Sequence, residues 1–547
     1  MKKLLILLVA IVMAISIFSA CGTVTEGNVT STEPDGSGSS AQPSDQEANT
    51  DDGTAWDDSR IKVVIDLDPG TLGPYETNNT GRKQTLYEVY ETLAMYQSRG
   101  GEIKGILAKN WYAVDGEEDA YVVELYDYIK DTNGNEITAD DVIFSFMDAG
   151  MDTYKRYLKY IDEIEKIDEY TVKMKLSSKD VGTFEHILCQ CWIIDQDSYK
   201  ASGDGMANDP IGTGPYKVVS HVEGSKLVME AKDDYWQYDE SLRVNYQYQN
   251  VKTIEFLVIP ESSQQSIALE TGTADIVSGI SAAAAARFMN DDNYNVTEAI
   301  DNNCRTMFFN CDEDSVCSDL AVRQAILYAF DSQGLIDGTL DGAAELAYAF
   351  GGSAYPDIDS SWDDGDYYKI DADKAKQLLE DAGYKDGVTV RLLTNTNELN
   401  GKIASILQGY LSQVGIDLQI MQYEETLAKT YMRDFTMFDI YLVYAGAPDY
   451  AVIGWNEKLT NTTYDNGLNY CGINDPELEA LLQTAISGET HSTETMTALY
   501  NYITDNAYVY GLFSPYLYTV SNKSVESACI NHDNWLLPGC NTYIWND

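Results

Sequence analysis

Few residues in this chain are typed and spaced for covalent or metal chemistry. The four histidines, His186, His221, His491 and His532, stand far apart. A metal centre built on them would need long-range convergence that spacing does not indicate, so each reads singly as a surface or core-edge residue. Cys189-Gln190-Cys191 is C-x-C, not the C-x-x-C of a redox pair. Cys304, Cys311 and Cys317 read as small buried hydrophobes. Cys529 and Cys540, eleven positions apart, are the best candidates for a disulfide. Neither a G-x-S-x-G elbow, a Walker A lysine loop nor an H-E-x-x-H pair occurs. Asp363, Asp364 and Asp366 lack the alternate acids around a central glycine that calcium needs, and read as a solvated loop. The residues therefore favour binding over turnover, with no metal and no cofactor; a hydrolase using paired carboxylates is the competing class.

One cysteine has a clear covalent role. Lys2 and Lys3 precede about fifteen nearly unbroken apolar residues from Leu4 to Phe18, short for a membrane span and suited to a signal peptide. The run closes as Phe18-Ser19-Ala20-Cys21-Gly22, which resembles a bacterial lipobox with Phe18 where Leu is commoner. Residues 1–20 then read as leader and Cys21 as the lipidated N-terminus. Residues 22–55 are Gly, Ser, Thr, Pro, Asn, Gln and acids with only Val24, Val29 and a few alanines as apolar residues, too polar to bury a core. As a flexible coil they span roughly 30–35 Å r.m.s.. Residues 21–55 are thus expected to be a lipidated, disordered tether holding a globular body outside a membrane.

The 547 residues are 44% hydrophobic and 23% charged, ordinary globular composition. Lys+Arg is 36 against 88 Asp+Glu, a formal charge of −52. The leader carries two lysines and no acid, so its removal takes the charge to −54. Such a surface repels nucleic acid and anionic lipid, and keeps the protein soluble.

The elements that must position a site alternate along the body, which begins near Trp56. Ile61-Lys62-Val63-Val64-Ile65-Asp66-Leu67 predicts a buried strand closed by Asp68-Pro69-Gly70. Residues 170–176 alternate as a half-buried strand. Thr138 and Asp141 have capping-box form, ahead of Val142, Ile143, Phe146 and Met147 at helical spacing. A strand is expected over 254–259, a helix from Ser262 or Ser263 through Leu269, and another over 374–382. Ile403, Ile406, Leu407, Tyr410, Leu411 and Val414 mark an amphipathic helix ended by Gly415, with a strand over 416–421. Strands and helices interleave throughout, so the class is α/β.

Several motifs then occur in a familiar order. Pro210-Ile211-Gly212-Thr213-Gly214-Pro215-Tyr216-Lys217-Val218 carries the signature of extracellular solute-binding protein family 5, the peptide/nickel-type binding proteins of ABC importers, which this chain resembles. Asp68-Pro69, Tyr90-Glu91-Thr92-Leu93, Leu107-Ala108-Lys109-Asn110-Trp111 and Thr138-Ala139-Asp140-Asp141-Val142-Ile143-Phe144-Ser145 precede it. Asp234-Tyr235-Trp236, Ala268-Leu269-Glu270-Thr271-Gly272-Thr273-Ala274-Asp275-Ile276, Val322-Arg323-Gln324-Ala325-Ile326, Lys374 through Tyr384 and Gln413-Val414-Gly415-Ile416-Asp417 follow it. The resemblance spans roughly residues 60–520. Physically, Gly212 and Gly214 allow close backbone approach or a positive φ. Arg323 reads as a structural tie.

The resemblance implies a two-lobed periplasmic-binding-protein-like fold of type II, its lobes joined by two hinge strands and closing on ligand. By that layout 56–85, 207–303 and 513–547 form lobe I, 86–206 an inserted subdomain and 304–512 lobe II. It also implies a ligand-binding acid after Phe438-Asp439-Ile440-Tyr441-Leu442. Asp449 and Tyr450 match the acid-aromatic pair, and Asp449 would hold a peptide α-ammonium. The tryptophan usual just before it is absent, and Trp455 is the candidate replacement. Tyr75, Asn78 and Asn79 follow the first strand, where the family places ligand-contacting backbone. Arg391, in a strand near the site, is the candidate for the ligand carboxylate. The expected partners are a peptide or other small solute, an ABC permease with its ATPase, and a membrane reached through the lipid; a monomer is expected. An oligosaccharide is the alternative ligand, and nickel a remoter one.

Overall fold

The computed structural model describes residues 56, 58–76, 80–98, 100–347, 350–351, 355–364, 367–446, 449–460, 469–531 and 534–543. Cys21, the leader and the tether lie outside the described residues, as do Asn78, Asn79 and His532.

The first apolar run forms the strand Arg60–Ile65, with Ile61, Val63 and Ile65 on one face and Val64 on the other. β-Branched residues buried on both faces are the pattern of a parallel interior strand. It pairs in parallel with Thr253–Val258, Val63 opposite Phe256, and with Ile276–Ile280. Lys226–Ala231 and Tyr216–Val222 extend this half antiparallel to its edge.

The 14-residue strand Val509–Asn522 carries the sheet onward. Its later half pairs with Tyr294–Ile300, Ala299 opposite Leu517; its earlier half pairs with Cys304–Phe309, Arg305 opposite Phe513. Pro515, which has no N–H for a ladder, sits where the strand changes partners. There the two connections run side by side, Asp301 N donating to Pro515 O at 2.9 Å. Beyond lie Ile440–Ala445, antiparallel to Cys304–Phe309, and then Val388–Asn395 and Ile416–Tyr423, paired in parallel. The described residues make a mixed twelve-stranded sheet running through both halves. Each half is covered on both faces: Met307 and Phe309 enter one core, Cys304 and Phe308 the opposite one.

A separate antiparallel sheet, in the order Ala108–Ala113, Ala120–Leu125, Thr171–Leu176, Ile161–Asp168, lies in the chain between the first two strands of the large sheet's first half. Its residues share a core with Ile61, Val63 and Phe256.

Local expectations hold closely. Helices run Ala139–Phe144, Ser262–Glu270, Ala372–Asp381 and Glu398–Ser412, and strands Thr171–Leu176 and Ile416–Tyr423. Asp141 accepts from the Thr138 N–H (2.8 Å) and hydroxyl (2.9 Å). The first strand ends at Ile65 rather than 67, because the Asp68 carboxylate binds Gly70 N (2.6 Å) and Gly224 N (2.7 Å) and turns the chain away. Among the described residues no helix is long and apolar enough to cross a membrane.

The glycine-proline signature works by close approach. A Cβ at Gly212 would lie 2.2 Å from Val89 O, and one at Gly214 would lie 2.6 Å from Glu88 O. With those glycines, Gly214 N reaches Val89 O at 2.8 Å, and buried Lys232 donates to Gly212 O at 2.7 Å. Next to this contact Glu91 accepts from Tyr235 Oη (2.6 Å), Trp236 Nε1 (2.8 Å) and Gln247 Nε2 (2.9 Å). Three motifs distant in sequence thus meet at one junction. Arg323 ties its helix to the carbonyls of Asn506, Cys317 and Ser318.

Candidate functional site

Asp449 stands between the strand Ile440–Ala445 and the helix Ala451–Leu459. Two charged groups hold the residues on either side of it. Asp357 accepts from Ala451 N (2.8 Å) and Val452 N (3.0 Å), satisfying backbone donors at the helix start. Lys458 donates to Gly446 O at 3.0 Å, and burial pulls its ammonium down to about 8. Asp449 is thereby fixed just ahead of the helix, with only 2% of its surface exposed.

Asp449 faces the small-sheet half of the molecule. Its Oδ2 lies 2.7 Å from Nε2 of His186, itself 4% exposed, in the helix Thr183–Gln190. Opposite a carboxylate the imidazole is the donor. The His186 ring meets Tyr96 edge-on at 6.1 Å and Tyr157 at 5.3 Å. Burial raises the Tyr96 phenol and the Cys189 thiol, and in both the Asp449 charge adds to the effect. Tyr450 donates to Gly100 O at 3.2 Å and meets His491 edge-on. Burial pushes the Tyr450 phenol up to about 12.

This is part of a longer seam. Arg156 pairs with Glu457 at 2.6 Å and Lys179 with Glu489 at 2.8 Å. Val181 N donates to Ile486 O and Gly488 N to Lys179 O, both at 2.8 Å. A cavity of about 270 Å³ opens along it, lined among others by Thr153, Arg156, Tyr157, Asp180, His186 and Glu457.

The sequence candidates divide. Asp449 and Tyr450 lie together at the seam. Tyr75 packs against Tyr154 and Tyr199, donates to Trp192 O at 2.7 Å, and accepts at its own carbonyl from Thr153, which lines the cavity. Trp455 points the other way: it is 1% exposed, its indole N–H bonds Phe350 O, and its ring tilts against Trp362. Arg391 grips Asp439 with Nε (2.9 Å) and Nη2 (2.8 Å), a bidentate pair that holds its guanidinium charged and occupies its fork. Cys529 and Cys540 are brought together, their sulfurs 2.6 Å apart, as free thiols.

The histidines need a correction. His221 contacts Asp68 at 3.2 Å and His491 contacts Ala485 O at 2.7 Å, both partly buried. His186, read as another surface or core-edge residue, is a buried partner of the candidate acid. It is 263 positions from Asp449, so no local pattern signals the pair. Among the described residues no group of three or more His, Cys, Asp or Glu side chains is arranged to hold a metal.

The model of the bacterial extracellular solute-binding proteins, family 5 middle region, matches residues 102–465. The oligopeptide-binding protein AppA of Bacillus subtilis is 26% identical over 429 residues, covering 70% of this chain and 73% of the relative. A di/tripeptide-binding protein of Pseudomonas aeruginosa is 27% identical, covering 64% of this chain and 68% of the relative. Among solved structures, NikA from Brucella suis in complex with Fe(III)-EDTA superposes with a TM-score of 0.76 at 22% identity, covering 89% of this chain and all of that one (100%). B. subtilis AppA in complex with a nonapeptide gives 0.69 at 21%, covering 87% and 98%.

Proposed function

The chain belongs to the bacterial extracellular solute-binding proteins of family 5 and has their two-lobed α/β fold; from that premise we propose that it is the substrate-binding lipoprotein of an ABC importer, capturing peptides and delivering them to a membrane permease and its ATPase. It acts by binding, without turning its ligand over, and as a monomer. The moving parts are lobe I (56–85, 207–303 and 513–547), the inserted subdomain (86–206) and lobe II (304–512). The paired connections at Asp301 and Pro515 are the hinge.

The observation that carries the peptide assignment is Asp449. A carboxylate 2% exposed at the seam and held by an imidazole from a distant part of the chain is placed to receive a ligand cation, because a buried charge is favourable only with an opposite charge beside it. The α-ammonium of a peptide supplies such a cation, and relatives named for oligopeptides and di- and tripeptides support that choice. Tyr450 beside the acid and Tyr75 across the cavity wall are the proposed neighbours of the bound chain.

Native mass spectrometry of the purified protein tests the assignment. Co-purified peptide masses, and a raised melting temperature with a peptide mixture, are expected. A bound sugar, with no thermal shift from peptides, would move the assignment to an oligosaccharide receptor. We further propose that Cys21 carries the lipid that keeps the protein at the extracytoplasmic face of the membrane. Cys21→Ala should release the protein into the medium or leave an uncleaved precursor; processed protein that still fractionates with membranes would contradict this.

A further inference from the structure

Asp449 is already engaged in the described state. Its partner His186 comes from another part of the molecule, and both are nine-tenths or more buried. We propose that His186 is an internal competitor for Asp449 and so determines which ligands the site accepts: an entering ammonium must displace the imidazole. The inference deepens the peptide reading above and rests on it.

The argument is one of charge count in a dry place. One carboxylate neutralises one cation; a second cation on it would remain as an uncompensated buried charge. A charged imidazole and a ligand ammonium therefore exclude each other, whereas a neutral imidazole can give way without that penalty. Among the described residues around His186, none gives it a second carboxylate at bonding distance. Tyr96 faces it from strand Ala94–Tyr96 and Tyr157 from helix Met151–Leu158. Glu185 and Cys189 share its own helix, and Tyr450 adjoins Asp449. Lys155, Arg156, Lys159, Asp180 and Glu457 line the cavity onto which it opens, with Arg156 and Glu457 paired to each other at 2.6 Å. Because His186 also lines that cavity of about 270 Å³, the displaced ring has space to enter.

A ligand with a blocked or absent amine leaves the His186–Asp449 pair intact. Discrimination between amine and blocked ligands thus depends on the side chain at position 186.

The test is calorimetry of one peptide in free-amine and N-acetyl forms, with wild type, His186→Gln and His186→Phe, each checked for a cooperative thermal transition. Gln keeps a neutral donor, and Phe fits between Tyr96 and Tyr157 with none. His186→Phe should bind the free-amine peptide about tenfold more tightly than wild type, with His186→Gln between the two, and the acetylated form should change little in either variant. A free-amine affinity unchanged by His186→Phe, or equal changes for both peptide forms, would overturn the role of His186 while leaving the peptide reading standing. If no peptide in a mixed library binds any of the three proteins, the peptide reading falls and takes this inference with it.

Discussion

Glu91 and Asp449 are both carboxylates with almost no exposed surface, yet they are held differently. Glu91 receives three neutral donors, Tyr235, Trp236 and Gln247, all from one short stretch of chain. Beside it, two glycines let backbones approach where a Cβ would collide. Asp449 receives an imidazole from a different part of the molecule, within a seam of two ion pairs and two backbone hydrogen bonds. The first arrangement has no alternative partner to exchange into, and breaking it strands several donors at once. The second is built from groups contributed by stretches of chain far apart in sequence, each partner replaceable by water or another polar group. Asp449 is proposed as the ligand site for that difference: its partner is exchangeable, whereas the donors on Glu91 are not.

The contrast can be broken from either side. The largest stability loss should come from Glu91→Ala, which orphans three buried donors and should cost about 3–5 kcal/mol in denaturant unfolding. Gly212→Ala places a Cβ 2.2 Å from Val89 O and should cost about 2–3 kcal/mol, since a backbone must shift. Neither should selectively alter recognition of a peptide amine. A pH effect is expected at Lys458, whose pKa burial lowers from 10.5 to about 8. The unfolded state then binds more protons between those values, so stability should rise with pH across that window. Lys458→Met should remove the rise, measured as the wild-type-minus-variant difference. The smallest change in stability, under about 1 kcal/mol, is expected for Arg156→Ala, because its ion pair is only partly buried. That variant should instead enlarge the ligand-free radius of gyration in small-angle scattering, with compaction restored by peptide.

Legibility in the sequence follows the same division. The capping box at Thr138, the amphipathic helix ending near Gly415 and the strands at 171–176 and 416–423 depend on neighbouring residues, and the structure forms them within a residue or two. Gly212 and Gly214 were readable as places needing no side chain; the structure decides for close approach, with Val89 as the reason. Asp449 was reachable only through the motif around it, because nothing local distinguishes a buried acid from a loop acid. Trp455 and Arg391 show the limit: their types suit a ligand, but the helix phase turns Trp455 into the core, and Asp439, just ahead of the neighbouring strand Ile440–Ala445, takes the Arg391 fork. His186 carried no signal at all, since its meaning comes from a residue 263 positions away.

The central claim is that Asp449 is the exchangeable carboxylate that receives a ligand ammonium. Asp449→Asn keeps the shape and removes the charge. Calorimetry on wild type and variant, each with a free-amine peptide and its N-acetyl form, tests it most directly. The account predicts that the variant loses roughly 30- to several-thousand-fold in affinity for the free-amine peptide, the cost of truncating one partner of a buried charge pair, and far less for the acetylated one. Equal losses for both peptides, or none for either, would contradict it.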